Sequence, residues 1–287
     1  MADIRYAIVE PLATGVSAAM RMAVLTPVLG VGADKDLQQA FDRLRHRWHD
    51  CLVGVRKAGW APARRLRDFQ YMRNCPPFGV RTDVSNMHTC KRATVCPFCW
   101  ARRVVAPLYA KLRSWLTTVG RNWSPPYGTQ LVEYKTTATV WGDVGAGRGS
   151  AARLGRAALA ARAVLRNTRN DEFKAYRAVA GLSVSRFVVK PERLVLIRAG
   201  FLLVPSGLTH KAEFLARKHR LRAYRRTTRK VLLPAIARVC AYPAAMLRAS
   251  GPELRAFLDL LKGEHVFSSR GRPVGTDVLA AEEAARA

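Results

Sequence analysis

The chain has 287 residues, 49 of them Lys or Arg against 20 Asp or Glu, giving a net charge of +29 and a pI near 11.1. Its hydrophobic fraction of 49% is that of a folded protein with ample core, as one large domain or two small ones. No run of 18 or more apolar residues is present, so the sequence excludes a helix spanning a bilayer.

A positive surplus of this size opposes compaction unless an anionic partner screens it. Nucleic acid is the first candidate, because each neutralised phosphate releases a counterion and the gain grows with the number of contacts. A membrane surface is the second. High-GC coding accounts for Arg in place of Lys, but not for the scarcity of acidic residues. Arginine's planar fork also suits phosphate and base edges better than an ammonium does. The first residues, Met1-Ala-Asp-Ile-Arg5, do not form a basic segment leading into an apolar run, so a cytoplasmic location is expected.

Residues 1–33 are apolar but punctuated by Pro27, Gly30 and Gly32, which predicts a loosely packed or partly disordered start. Asp34 to Val55 reads as a helix, with Phe41, Leu44, Trp48, Leu52 and Val55 at helical spacing. His46 and His49 on it are three apart, a spacing seen in metal pairs, but in an Arg-rich face solvent or phosphate contact is the simpler reading. Residues 60–74 interleave Trp60, Phe69 and Tyr71 with Arg64, Arg65 and Arg67. This pattern suits base stacking with phosphate contact, and equally a short amphipathic helix.

The stretch from Cys75 to Arg103 holds four of the six cysteines and one of the six histidines. Cys96-Pro-Phe-Cys99 is a C-x-x-C knuckle, whose spacing lets two thiolates reach one tetrahedral ion from a tight turn. Cys90 supplies a third sulfur, and either Cys75 or His88 completes the set. A redox C-x-x-C would require a strand before it and an amphipathic helix after it in a thioredoxin-like frame. Here the flanks are Lys91, Arg92, Arg102 and Arg103. A closed four-ligand site implies structural zinc, with a basic rim facing a polyanion.

A helix is predicted from Trp100 to Leu116, then a turn at Pro125–Gly128 and a strand over Thr129–Trp141. Gly145-Ala-Gly147-Arg-Gly149 is glycine-rich, without the third glycine or the downstream acid of a dinucleotide fingerprint. A helix is predicted over Ala151–Arg169. Strands are predicted over Ala178–Lys190 and Leu194–Pro205, joined by a turn at Pro191-Glu-Arg193. The second is apolar on both faces and therefore central. Arg198 and Gly200, two apart on one face, mark a place where a polar group approaches the sheet.

Thr209 to Arg238 reads as helical and intensely basic. Arg217, Lys218, Arg220, Arg222, Arg225, Arg226, Arg229 and Lys230 make it a candidate phosphate-contacting face. A last helix is predicted over Pro252–Gly263, followed by a fraying tail after Gly275. The organisation expected is a basic N-terminal segment (1–70), a Cys-rich module with its helix (71–120), a central sheet (121–205) and a basic helical C-terminal region (206–287).

The order Cys90…Cys96-Pro-x-Cys99-x-x-Arg-Arg103, helix, strand, strand hairpin, basic region, Tyr242 segment and Phe267-Ser-Ser-Arg-Gly271 resembles the rolling-circle replication initiators of plasmids and phages. These belong to the HUH endonuclease superfamily, and the likeness covers roughly residues 75–275. It implies an α+β fold: a ferredoxin-like antiparallel sheet with flanking helices, here with a zinc-knuckle insertion and a basic helical C-terminal part. In that family a His-x-His pair on a central strand binds Mg²⁺ or Mn²⁺, and a tyrosine attacks the DNA phosphate. No His-x-His occurs in this chain, and Arg198-Ala-Gly200 stands in the corresponding strand. Tyr242 is the candidate nucleophile, Tyr224 the second choice, and Arg198 the one group placed to stabilise charge without a metal. The resemblance therefore implies an initiator-like protein that binds single-stranded or hairpin DNA and is weakened or inactive as a nickase. The alternatives are a zinc-stabilised DNA- or RNA-binding regulatory or structural protein, and an active tyrosine-dependent nickase and strand transferase.

Overall fold

The computed structural model describes residues 18–30, 37–57, 66–75, 89–119, 122–141, 177–190, 193–206, 222–224, 227–251, 254 and 266–271. Helix α1 runs through Arg21–Leu25 into Thr26–Leu29, α2 spans Leu37–Lys57 and α3 Leu66–Arg73. Helix α4 is a continuous rod through Pro97–Trp100, Ala101–Val105 and Ala106–Trp115. Then come β1 (Thr117–Val119), β2 (Asn122–Ser124), β3 (Thr129–Trp141), β4 (Ala180–Lys190), β5 (Arg193–Pro205), β6 (Arg222–Tyr224) and β7 (Thr227–Thr228). Helix α5 (Arg229–Val239), a 3₁₀ turn at Ala244–Arg248 and β8 (Phe267–Arg270) complete the described elements. This is an α+β architecture. No helix among the described residues is long and apolar enough to cross a membrane.

Five strands form one antiparallel sheet in the order β6-β3-β5-β4-β8. Strand β5 lies between β3 and β4, as its two-sided apolar pattern predicts, and pairs with β3 from Thr129↔Pro205 to Trp141↔Arg193. Alternation along the strands divides the buried side chains. Leu131, Leu182, Val184, Phe201 and Leu203 join the main core with the helices, while Val132, Tyr134, Leu202 and Val204 form a second cluster. A smaller sheet, β1-β2-β7, ties the end of α4 to the start of α5 through Trp123↔Thr227.

The helices follow their apolar spacing. Phe41, Leu44, Trp48, Leu52 and Val55 of α2 are buried, and the Trp48 indole N–H donates to the Met72 carbonyl (2.9 Å), holding α3 against α2. Both α1 and α4 contain a π-turn, closed by Thr26 N–H to the Arg21 carbonyl and Ala106 N–H to the Ala101 carbonyl. Each π-turn is followed at once by a proline, Pro27 or Pro107. Proline cannot donate the ordinary helical bond, and the widened turn before it absorbs that break while the axis continues.

Several expectations are corrected. Within the stretch 1–33 predicted to be loosely packed or partly disordered, the described residues Ala19 and Met20, and Ala23, Val24, Leu25 and Val28 of α1, are buried in the main core. Of the helix predicted over Thr209–Arg238, the described residues are helical from Arg229 onward, while Arg222–Tyr224 and Thr227–Thr228 pair as strands with β3 and β2; residues 209–221, 225 and 226 lie outside the described residues. The hairpin β1–β2 and strand β8 were not anticipated. The predicted helix over Ala151–Arg169, the glycine-rich loop and all of Pro252–Gly263 except Leu254 lie outside the described residues.

Candidate metal centre and its basic surroundings

Four sulfurs converge where the end of α3, the turn at residues 90–95 and the first turn of α4 meet. The Sγ atoms of Cys75, Cys90, Cys96 and Cys99 all lie within 4.8 Å of one another, with Cys75–Cys99 at 3.6 Å and Cys90–Cys99 at 3.4 Å. A disulfide would need about 2.05 Å, and all six cysteines are free thiols. Zinc–sulfur bonds of about 2.3 Å in a tetrahedron place sulfurs roughly 3.8 Å apart, so this separation fits one ion held by four thiolates.

Local backbone explains the convergence. Lys91 takes a left-handed conformation (φ 57°), turning the chain after Cys90, and the Cys96 N–H donates back to the Arg92 carbonyl at 2.8 Å. Cys96 caps α4 in an extended conformation, Pro97 takes its first turn, and Cys99 follows at the positive end of the helix. Hydrogen bonds from Cys75, Cys90 and Cys96, with one from the Lys91 backbone, hold the Cys99 thiol well below the usual thiol range. Burial pushes the fully enclosed Cys96 up. Ligand thiols bind a divalent cation deprotonated, and four sulfurs at this separation offer that charge to one ion. With four protein sulfurs, no position is left for a water or substrate. The set fits a structural ion, and Cys75 fills the fourth place that the sequence left open. His88 lies outside the described residues.

Tyr242 supports this centre from behind. Its ring is 2% exposed and meets Trp100 edge-on at 6.0 Å, and its hydroxyl donates to the Val95 carbonyl beside Cys96. The Trp100 indole N–H donates to the Cys240 carbonyl at 2.7 Å, closing a second link between the knuckle and the segment after α5. Burial pushes the Tyr242 hydroxyl well above the ordinary phenol range. The hydroxyl is thus enclosed in the core and engaged with the backbone.

The structure does not bring Arg198 to Tyr242. Arg198 alternates with Ala199 and Phe201, so it projects from the sheet face opposite the main core, where its Nη2 donates to Ser183 Oγ (3.1 Å). Ser183 in turn bonds the Ser268 hydroxyl of β8 at 2.7 Å. Gly200 is not an opening for a polar partner. A Cβ there would meet the Leu182 carbonyl oxygen at 1.9 Å and Tyr134 Cε1 at 2.8 Å, so the cross-strand Tyr134 ring covers it.

Two polar clusters escaped the sequence reading. Glu133, on the core-facing side of β3, accepts from Tyr224 Oη (2.7 Å) and from Arg238 Nε (3.2 Å) and Nη2 (2.8 Å). Burial, then the bond to Glu133, pushes the Tyr224 hydroxyl up to about 12. A lone carboxylate in register with Leu131 was the available signal. Arg186 Nη1 donates to the carbonyls of Arg238, Val239 and Ala241, which closes the C-terminal end of α5.

Among the predicted nucleic-acid contacts, Lys91, Arg103, Arg222 and Lys230 are exposed, and Arg92, Arg102 and Arg229 are half-buried. Arg103 and Lys111 stand on α4, and Arg113 lies over the Trp123 ring at 5.2 Å. Arg217, Lys218, Arg220, Arg225, Arg226, Trp60, Arg64 and Arg65 lie outside the described residues, as do the side chains of Arg67 and Phe69. No family model, no curated protein and no solved structure matches the chain.

Proposed function

We propose that this protein is a zinc-stabilised, nucleic-acid-binding protein of the replication-initiator type, which holds single-stranded or hairpin DNA without cutting it. The observation that carries the reading is the buried four-sulfur cluster at the start of α4, a helix that presents Arg103 and Lys111 on a chain of net charge +29. The metal would be held by Cys75, Cys90, Cys96 and Cys99, and would fix the knuckle so that its basic rim is rigid before DNA arrives. Free thiols in this number suit a reducing compartment such as the cytoplasm.

The sheet supports the initiator-like part of the reading. With β3, β4, β5 and β6 taken as first to fourth, the antiparallel order is fourth-first-third-second, the order of a ferredoxin-like split βαβ arrangement. Loss of cleavage rests on two features. The strand corresponding to the family's metal-binding strand carries Arg198 and Gly200 where histidines would be, and the Tyr242 hydroxyl is enclosed and donated to a backbone carbonyl. A tyrosyl nucleophile needs an exposed hydroxyl and a cation at the scissile phosphate.

The test is incubation with labelled single-stranded and hairpin DNA in Mg²⁺ or Mn²⁺, read for binding, for cleaved strand and for a protein–DNA adduct. Binding that weakens steeply with salt and yields no cleaved product is expected. A covalent adduct would refute the non-cleaving reading, and absence of binding would refute the nucleic-acid reading itself.

A further inference from the structure

A cleft of about 610 Å³ opens between the C-terminal ends of α2 and α3. It is lined by His49, Leu52, Val53, Arg56, Lys57 and Arg73. We infer that this cleft seats a single DNA strand, with phosphates against Arg56, Lys57 and Arg73 and sugar or base over Val53. The inference rests on the nucleic-acid reading above and adds a second contact surface to it.

Helical geometry makes one wall. His49, Val53, Arg56 and Lys57 stand at i, i+4, i+7 and i+8, so they share a face of α2. Arg73 comes from α3, and His49 Nε2 donates to the Arg73 carbonyl at 2.9 Å, fixing the two walls to each other. The Arg56, Lys57 and Arg73 side chains are exposed, and among the described residues no carboxylate lines the cleft. Two helix C-termini end here, each contributing about half a negative charge, so three full cations leave a net surplus of roughly two. Cations at helix ends also stabilise those ends, but that role requires no cleft and no exposed valine between them. Val53 is 48% exposed, one of few large apolar side chains so placed among the described residues. An apolar patch ringed by cations matches a strand that offers phosphates and unpaired sugar or base side by side, which a closed duplex does not offer. The volume lies within the range of about 300–1,000 Å³ typical of ligand clefts.

The experiment measures fluorescence anisotropy of a labelled 20-residue oligo-dT across a salt series. It compares the full chain with a triple variant, Arg56→Gln, Lys57→Gln and Arg73→Gln, and with Val53→Asn. All four side chains are exposed, so the variants should fold, and circular dichroism checks this. Each phosphate contact on a single strand contributes about 0.7 to the slope of log affinity against log salt. The triple variant should therefore lose about 2 from the slope and at least tenfold in affinity at moderate salt. Val53→Asn should weaken binding with the slope unchanged. If the parent protein binds and the triple variant keeps its affinity and slope, the cleft is overturned while the wider reading stands. If the parent protein does not bind at all, the wider reading fails.

Discussion

Replacing Tyr242 with phenylalanine separates a supporting tyrosine from a nucleophilic one. The substitution keeps the ring that meets Trp100 and removes only the hydroxyl that donates to Val95, leaving a carbonyl without that partner beside the fully buried Val95 side chain. An unsatisfied buried acceptor costs about 1–3 kcal/mol. For a chain of this size each kcal/mol moves Tm by roughly 2–4 °C, so a fall of roughly 2–12 °C is expected by calorimetry. DNA affinity at low temperature should be unchanged, because the hydroxyl is enclosed. A Tm equal to that of the parent, together with loss of a protein–DNA adduct formed by the parent, would refute this reasoning and reinstate Tyr242 as the attacking group.

Three further outcomes follow from the same geometry. In the metal-loaded protein, mild alkylation should spare Cys75, Cys90, Cys96 and Cys99. After chelation all four should react, while Cys51→Ala and Cys240→Ala retain one equivalent of bound metal, as mass spectrometry of the intact and modified protein would report. Gly200→Ala should destabilise by about 3 kcal/mol or more, since its Cβ meets backbone at 1.9 Å. Gly54→Ala, whose Cβ would meet Gly251 Cα and N at 3.7 and 3.8 Å, should be neutral or slightly stabilising, both read from chemical unfolding midpoints. Tyr224, raised to about 12 in the fold against about 10 when unfolded, favours the folded state while protonated. That contribution is complete below pH 10 and is lost as pH rises through 12. A phenolate titration at 295 nm should show a late step that Tyr224→Phe removes.

The elements with strong local periodicity were legible. β3 matches its alternating pattern end to end, and α2 matches its Phe41–Val55 spacing, because local pattern and long-range packing agree there. The basic stretch before α5 was misread for a physical reason. A run of arginines favours helix locally, whereas Arg222–Tyr224 and Thr227–Thr228 gain their strand state from pairing with β3 and β2, contacts that no window of sequence contains. Helix α1 was hidden by Pro27, which is tolerated because a π-turn precedes it. Three ligands of the metal centre were visible as Cys90 and the C-x-x-C knuckle. The fourth depended on where α3 ends relative to α4, and spacing alone cannot decide between Cys75 and His88. The Tyr224–Glu133–Arg238 cluster joins residues about 100 positions apart, beyond the reach of any motif.

The most direct test of the central claim is oligo-dT affinity measured on the purified protein, after complete chelation, and after return of one equivalent of zinc. The account predicts one bound zinc per chain, loss of binding and of cooperative unfolding on chelation, and recovery of both on reloading. Undiminished DNA binding by metal-free protein would contradict it.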